Sequence, residues 1–217
     1  MSDLSDTILG KEFDKDYFER GLASGKSGYD NYRWLPEMTI KFAYKIIKNL
    51  DLRESDEILD FGCAKGFLVK ALRILDINAY GCDVSEYALK NVDRDVERYC
   101  ELSHGKIPFE MKFDWTISKD VFEHLDEKEL DYVLKDIKGV SDNLFVIVPL
   151  GENDRYIIPS YEMDITHKLA KDKDWWEKKF KEQGWNLDRF SYLIKGMKDN
   201  WADYEEGNGF FHLKSKN

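Results

Sequence analysis

The pattern of apolar and polar positions predicts strands that alternate with helices. Ile58–Leu59 is a short apolar run that ends at Asp60, as is typical of a strand buried on both faces. After a turn of small residues, apolar side chains recur at helical spacing from Phe67 to Leu75. A second short strand, 79–82, ends at Asp83. This order of strand, small-residue turn, helix, strand and acidic residue is half of a nucleotide-binding βαβ unit.

Similar patterns continue on both sides of this unit. Helices are predicted to begin at Pro36 and after Ser85. Two more are predicted to begin after Asp126 and after Asp174, each with a glutamate three residues on, Glu129 and Glu177, that can complete a capping box. Further strands are predicted at 98–102, in the residues leading to Ser118, and at 143–149, 185–193 and 209–213. The alternation predicts one α/β domain spanning residues 1–217.

Composition and charge narrow the classes of function. The 217 residues suffice for one sizeable core. The net charge is −10 and no Lys/Arg stripe is present, so nucleic acid is disfavoured as a partner and a small molecule is favoured. No apolar run approaches the ~20 residues of a membrane span, and the N-terminus lacks a signal-peptide pattern. Three cysteines without metal-site spacing are expected to be buried thiols, which favours a reducing, cytoplasmic location.

The region from Glu57 to Asp83 has the chemistry of a nucleoside site. Small residues allow a ligand to approach the backbone, a helix N-terminus offers N–H groups, and a carboxylate accepts hydrogen bonds from ribose hydroxyls. The dinucleotide fingerprint is G-x-G-x-x-G, whereas Gly62 and Gly66 are spaced G-x-x-x-G. The spacing therefore argues against a dinucleotide.

Three segments carry a resemblance to a known family. Asp60–Gly66 resembles motif I of the class I S-adenosylmethionine (SAM) methyltransferases, and Gly81–Ser85 resembles their second motif. Ser118–Leu125, which contains D-V-F-E-H-L, resembles the motif after their fourth strand. One departure is Ala64 at the place of the middle glycine, where alanine costs little if its φ is negative. The resemblance extends over about residues 57–149.

The resemblance implies a single-domain α/β/α sandwich with a seven-stranded, mostly parallel sheet whose last strand is antiparallel. It implies an enzyme that uses SAM and releases S-adenosylhomocysteine (SAH). We expect the methyl acceptor to be a hydroxyl or amine of a small molecule, such as a sugar or nucleotide-sugar, and the protein to be a monomer or homodimer. Neither nucleic acid nor a membrane is expected as a partner.

The cofactor-binding residues follow from the matched motifs and from an N-terminal arm, 1–35, expected to fold over the ligands. Asp83 is expected to hold the two ribose hydroxyls. In the arm, Tyr29, Tyr32 and Arg33 are candidates for a lid, with simple packing of the arm onto the domain as the alternative. The predicted cofactor-binding residues are Asp60, Gly62, Cys63, Ala64, Gly66, Asp83, Val84, Ser118, Asp120, Tyr32 and Arg33.

Two histidines are candidates for catalysis, since histidine is the side chain best suited to take a proton near neutral pH. His124 follows the fourth strand, and His167 lies in an acceptor-side insertion at 150–173. The alternatives are a structural His124 and a solvated His167. No metal is predicted, although Asp120 and Glu123 are adjacent acids at the same strand end.

Two other classes of function remain open at this point. The chain could be an NAD-dependent oxidoreductase or epimerase, against which the glycine spacing and the lack of a suitable Tyr-x-x-x-Lys pair argue. It could also be a non-catalytic SAM-binding module that regulates a partner, against which the intact motifs argue.

Overall fold

A computed structural model describes residues 10–216 of the chain. The first nine residues of the predicted N-terminal arm, and Asn217, lie outside the described range. The helices are α1 (Lys15–Ser24), α2 (Pro36–Leu50), α3 (Phe67–Ile74), α4 (Glu86–Lys90), α5 (Glu127–Val140) and α6 (Lys173–Glu182). The strands are β1 (Glu57–Phe61), β2 (Asn78–Asp83), β3 (Cys100–Leu102), β4 (Trp115–Lys119), β5 (Asn143–Pro149), β6 (Gly151–Glu152), β7 (Arg155–Tyr156), β8 (Trp185–Ser191) and β9 (Asn208–Ser215).

Seven of these strands form one mostly parallel sheet, as expected. Their order is β3-β2-β1-β4-β5-β9-β8. The pairs β1/β2, β2/β3 and β4/β5 are parallel, whereas β9 runs antiparallel to both β5 and β8. The predicted α/β fold and its antiparallel last strand are therefore confirmed. The chain divides into two compact units, Met1–Met111 and Lys112–Asn217.

The first unit contains the predicted βαβ segment. Helix α3 follows β1 directly, and helices α2 and α3 pack against each other. Apolar side chains of both helices and of β1 are completely buried, among them Ile46, Ile58 and Leu72. The three cysteines are free thiols and all are buried, which confirms their expected packing role.

The second unit is built on β4, β5, β9 and β8. Five apolar residues of β5, 144–148, are completely buried, as is typical of a central strand whose two faces are both covered. Helix α6 packs its Trp176 and Phe180 against this half, with the Phe180 ring 5.3 Å from that of Phe211 on β9. The short hairpin β6–β7 and a 3₁₀ turn at Pro159–Met163 lie in the insertion that was expected to be irregular.

Most predicted helix starts are confirmed, with one correction. Ser85 caps α4, and Asp126 with Glu129 forms the capping box of α5. Helix α6 begins two residues earlier than predicted, because the side chain of Asp172 rather than Asp174 accepts the N–H of Trp175 at 2.8 Å. In residues 10–216, no helix combines the length and apolar character needed to cross a membrane.

Candidate active site

The turn between β1 and α3 is built on residues in the left-handed backbone conformation. Gly62 and Gly66 have φ values of +83° and +73°, in the left-handed region that glycine tolerates. The N–H groups of Gly62 and Cys63 both donate to the carbonyl oxygen of Cys82, at 2.8 and 3.1 Å, and tie the turn to β2. A Cβ at Gly66 would lie 3.0 Å from the sulfur of Cys100. Both glycines are thus required by the geometry of this turn.

Asp83, at the end of β2, joins this turn to the next helix. Its Oδ2 accepts the N–H of Ala64 at 2.7 Å, and its Oδ1 accepts the N–H of Ser85 at 2.8 Å. Burial raises the pKa of this carboxyl, and the backbone N–H groups oppose that effect. The residue remains partly exposed, and each oxygen has further lone-pair capacity. Asp83 therefore fits its predicted role of accepting hydrogen bonds from two ribose hydroxyls.

Alanine was expected to cost little conformational energy at position 64 if its φ were negative, and the structure shows that φ is positive. Its φ is +48°, so the residue lies in the left-handed region. For a residue with a Cβ this conformation costs roughly 1–2 kcal/mol. The strain is maintained because the N–H of Ala64 donates to Asp83 and its methyl group packs against the cluster that includes Tyr17 and Phe18.

Replacing Ala64 with glycine is expected to stabilise the protein by about 0.5–1 kcal/mol. Relief of the left-handed strain outweighs the greater entropy of glycine in the unfolded chain, which is worth ~0.4–1 kcal/mol. The free energy of unfolding, measured in urea, checks this. Ala23→Gly, in α1, is the matched control and should lower that free energy by up to ~1 kcal/mol. A decrease of the same size in both variants would contradict the assigned strain.

The N-terminal arm is attached to the turn by a buried lysine. The ammonium group of Lys65, a residue only 8% exposed, donates to Glu19 on α1 and, at 2.8 Å, to the carbonyl oxygen of Tyr32. The hydroxyl of Tyr87 on α4 donates to the same Glu19 carboxylate at 3.0 Å. Burial raises the pKa of Glu19, but the bonds from Lys65 and Tyr87 lower it overall. The carboxylate therefore stays charged and holds α1 against the motif I turn.

Aromatic packing accounts for two of the three residues proposed for the lid. Tyr29 and Tyr32 lie 4.9 Å apart, ring to ring, and both pack against Phe18. Arg33 is exposed. These contacts support the alternative in which the two tyrosines pack the arm onto the domain. The predicted contacts of Tyr32 and Arg33 with SAM remain predictions.

Other predicted cofactor-binding residues differ in accessibility. Asp60 is 4% exposed within β1, and Cys63 is also 4% exposed. Val84 is partly exposed and lies against the arm, since a Cβ on Gly10 would be 2.3 Å from its carbonyl oxygen. Ser118 is completely buried in β4. Contacts of these four side chains with SAM likewise remain predictions.

In the second unit, Asp120 follows β4 and lies between two ammonium groups. Its φ is +54°, and its carboxylate pairs with Lys119 and with Lys198. The Lys198 ammonium also donates to the Tyr161 hydroxyl at 2.8 Å and to Oδ1 of Asn208 at 3.0 Å. Burial raises the pKa of Asp120, but the two lysines outweigh burial and hold the pKa well below its usual value. A cofactor at Asp120 would therefore meet an ionised, already paired carboxylate.

Glu123 lies three residues further on, in a 3₁₀ turn at Phe122–His124, and is completely buried. Neither of its carboxylate oxygens has a hydrogen-bond partner within residues 10–216. Its backbone carbonyl accepts the N–H groups of Lys168 and Leu169, at 2.7 and 3.1 Å, and so fixes the insertion beside it. Burial, and then the negative charge of Asp120, raise the pKa of Glu123 well above its usual value.

The structure brings the two predicted catalytic histidines together. The rings of His124 and His167 are 4.6 Å apart. Nδ1 of His124 is 2.8 Å from the Thr166 hydroxyl, which donates to Asp164 at 2.6 Å, and so Nδ1 must donate its proton to Thr166. Nδ1 of His167 donates to the carbonyl oxygen of Tyr161 at 2.9 Å. In both rings the lone pair is consequently on Nε2.

Burial is the main reason that both histidines stay neutral near pH 7. It lowers the pKa of His124 to about 4, with the neighbouring His167 as the second cause, and it also lowers the pKa of His167. His167 keeps only 7% of its side chain exposed, so it is not the solvated loop residue of the alternative reading. Neutral Nε2 atoms beside a buried carboxyl are able to accept protons or to bind a metal ion.

Comparison with known families identifies the chemistry of this chain. Residues 59–143 match the family described as "Methyltransferase domain". The match spans β1 to the start of β5 and includes the turn, Asp83 and the 3₁₀ turn after β4. Residues 59–143 are therefore similar to a methyltransferase domain, and the fold of the chain is that of class I SAM-dependent methyltransferases. This match argues against the NAD-dependent alternative. No curated protein matches its sequence.

Solved structures support the same fold at low sequence identity. A SAM-dependent methyltransferase from Clostridium acetobutylicum ATCC 824 is 15% identical, with a TM-score of 0.60 and coverage of 82% of this chain and 92% of that one. The CcbJ methyltransferase from Streptomyces caelestis is 10% identical, with a TM-score of 0.62 and coverage of 85% and 91%. Magnesium protoporphyrin IX methyltransferase (ChlM) from Synechocystis PCC 6803, with bound SAH, is 13% identical, with a TM-score of 0.59 and coverage of 83% of each chain.

Several residues of the methyltransferase site were not singled out by the sequence. Lys198 lies in a loop before β9 without any motif, and Glu19 is one of many acids in the arm. Lys65 lies inside motif I, which is the one signal that could have drawn attention to it. Tyr161 was visible only as part of the insertion. Each of these residues gains its role from a partner distant in sequence.

Proposed function

We propose that this methyltransferase transfers the methyl group of SAM to a hydroxyl or amine of a small acceptor, such as a sugar or nucleotide-sugar. The observation that carries the proposal is the group formed by Glu123, His124 and His167, enclosed by the insertion after β5. It follows the carboxyl end of a parallel strand, where ligands bind in open α/β sheets. Its enclosure favours a small acceptor over a polymer.

SAM, when bound, supplies a methyl group that is already activated by a positively charged sulfur. The protein's residues then have three tasks. Asp83, at the end of β2, holds the ribose of the nucleoside end. The arm, held by Lys65 and Glu19, covers that turn. Proximity and alignment of the acceptor, which reach roughly 7–11 kcal/mol in well-ordered reactions, are assigned to the insertion around His167.

The charge of the chain supports the choice of a small acceptor. The net charge of −10 opposes binding of RNA or DNA backbones. In the second unit, Lys119 and Lys198 both pair with the single carboxylate of Asp120, which leaves one excess positive charge. They are therefore poorly placed to attract an extended phosphate backbone, although a single anionic group remains compatible with them.

Incubation of the full chain with isotopically labelled SAM and pools of acceptors tests the proposal. We expect labelled methyl groups in a pool of sugars, nucleotide-sugars, phenols or small amines, and mass spectrometry of the product identifies the acceptor atom. Pools of tRNA and of denatured protein serve as the comparison. Label that appears only in RNA or protein, or binding of SAH without turnover in any pool, would overturn the proposal.

A further inference from the structure

We propose that Glu123, His124 and His167 bind a divalent first-row transition metal ion of the Zn²⁺ type. Each side chain offers one ligand atom, and the three atoms lie within 4.8 Å of one another. Two imidazoles and one carboxylate are a donor set that Zn²⁺ and its neighbours in the first row prefer, whereas Mg²⁺ and Ca²⁺ prefer oxygen ligands alone. Of the two adjacent acids considered from the sequence, Asp120 and Glu123, only Glu123 belongs to this group.

The buried carboxyl of Glu123 is the second, independent observation. The residue has no exposed surface, and both of its oxygens are without a hydrogen-bond partner within residues 10–216. The hydroxyl of Tyr156, whose ring is 5.1 Å from that of His167, is also buried and lacks a partner in the same range. Buried polar groups are ordinarily satisfied, and an unpaired acid at such a place is costly. A cation would compensate the carboxylate directly.

The hydrogen bonds behind the histidines orient them as metal ligands. Nδ1–H of His124 donates to Thr166, whose hydroxyl donates to Asp164, and Nδ1–H of His167 donates to the carbonyl oxygen of Tyr161. Metal-binding histidines characteristically donate their second N–H to a carbonyl or carboxylate, which fixes the tautomer and the ring orientation. Here both rings carry their lone pair on Nε2, the nitrogen that this arrangement assigns to the metal.

The geometry requires a modest convergence of the three ligands. Metal–nitrogen bonds of about 2.1 Å place the ligand atoms of a tetrahedral site roughly 3.4 Å apart. A separation of up to 4.8 Å therefore has to close by up to about 1.4 Å, through rotation of the side chains. Three protein ligands leave at least one coordination position open, as in catalytic rather than structural zinc sites.

The open position gives the metal a chemical role, and this step rests on the proposed function. A hydroxyl group of the acceptor that coordinates the metal would lose its proton more readily, because a bound cation lowers the pKa of a coordinated O–H group. The alkoxide oxygen then attacks the methyl carbon as the carbon–sulfur bond breaks, and SAH leaves with the bonding electron pair. The released proton passes to solvent.

Metal binding is testable without any methyl acceptor. The full chain is stripped with EDTA, dialysed, and titrated with Zn²⁺, Co²⁺ and Mg²⁺ by calorimetry, with Co²⁺ also followed by its visible absorption. We expect one Zn²⁺ per chain, a visible Co²⁺ band, and no comparable Mg²⁺ binding. His167→Ala should weaken Zn²⁺ binding by at least about 100-fold, since losing a metal ligand costs more affinity than losing a residue that hydrogen-bonds to a ligand. His104→Ala, an exposed histidine elsewhere, should leave it unchanged.

A second measurement keeps the proposal falsifiable if a variant folds poorly. Glu123→Gln removes the buried carboxyl, so its metal-free form should unfold at or above the temperature of the parent, and the upward shift that Zn²⁺ causes in the parent should disappear. Weak binding of Zn²⁺ without defined stoichiometry, or equal binding by the parent and His167→Ala, would overturn the metal site. Metal binding without methyl transfer to any small acceptor would overturn the proposed function alone.

Discussion

Replacing Asp83 with alanine is expected to weaken binding of SAH by about 100-fold or more. Hydrogen bonds to a charged acceptor contribute about 1.5–3 kcal/mol each, and the carboxylate is assigned two ribose hydroxyls. A loss of ~3 kcal/mol corresponds to a factor of roughly 10² in the dissociation constant. Because Asp83 is proposed to accept two hydrogen bonds from the cofactor, its replacement is expected to have the largest effect on SAH affinity.

The same substitution also affects the turn, and the experiment must separate the two effects. In the parent chain, Asp83 accepts the N–H groups of Ala64 and Ser85. Asp83→Asn retains the shape but turns an amide N–H₂ toward one of these donors, so it is also expected to weaken binding. Calorimetric titration with SAH, together with urea unfolding of each variant, distinguishes lost contacts with the ligand from a disturbed turn.

Glu86→Gln provides a matched control for charge. Glu86 is exposed, lies three residues after Asp83 in the sequence, and forms an ion pair with its helical neighbour Lys90. Its replacement removes the same negative charge from the same region and should leave SAH affinity within a factor of about two, because exposed ion pairs contribute little. SAH affinity that is unchanged in a folded Asp83→Ala protein would rule out the ribose role of Asp83.

The fold and the turn between β1 and α3 were predictable because their signals are local. Strand β1, the glycine turn, helix α3 and strand β2 follow one another within 27 residues, from Glu57 to Asp83. Small residues at fixed spacing and an acid at a strand end have one common structural solution. The capping box at Asp126 and Glu129 was predictable for the same reason, since both partners lie on one turn of helix.

The remaining features depend on partners that are distant in sequence. Lys198 meets Asp120 across 78 positions, and Lys65 meets Glu19 across 46. No periodic pattern encodes such pairs. The positive φ of Ala64 is also set by tertiary contacts, because the bond to Asp83 holds a conformation that the alanine itself disfavours. Whether a residue could be predicted from the sequence thus depends on how far away in the sequence its partner lies, and not on its chemical type.

The charge state of Glu123 likewise could not be predicted from the sequence. The sequence places an acid after β4 but does not reveal that the carboxyl is completely buried. Burial depends on how the insertion closes, through the bonds from Lys168 and Leu169 to the backbone of Glu123. The environment of Glu123 is therefore determined by long-range packing, whereas that of the turn between β1 and α3 is determined largely by a short motif.

His212 is expected to make the stability of the protein fall by about 3 kcal/mol between pH 7 and pH 4. The residue lies on β9, is 2% exposed, and accepts a hydrogen bond at Nε2 from the guanidinium of Arg189 at 2.8 Å. Arginine only donates, so this bond requires a neutral imidazole. Burial is the main cause that lowers the pKa of His212 to about 4, and the Arg189 charge adds to it, while Asp188 opposes it.

The direction of this effect follows from proton binding in the two states. With a pKa near 6.5 in the unfolded chain and about 4 in the folded protein, the unfolded state binds more protons between these values. Stability is therefore complete above about pH 6.5, decreases as the pH falls, and loses no more from this residue below about pH 4. A difference of 2.5 pH units, at 1.36 kcal/mol each, gives the ~3 kcal/mol.

Urea unfolding of the parent and of His212→Gln, at several pH values from 7 to 4, tests this expectation. Glutamine retains an oxygen that can accept the Arg189 N–H but does not titrate, so the variant should lose less stability on acidification, by up to about 3 kcal/mol. The difference between the two proteins isolates His212 from His124 and His167, whose pKa values are also lowered by burial. If the stabilities of the two proteins fell in parallel with pH, His212 would have the same pKa in the folded and unfolded states. Its contact with Arg189 would then not hold it neutral.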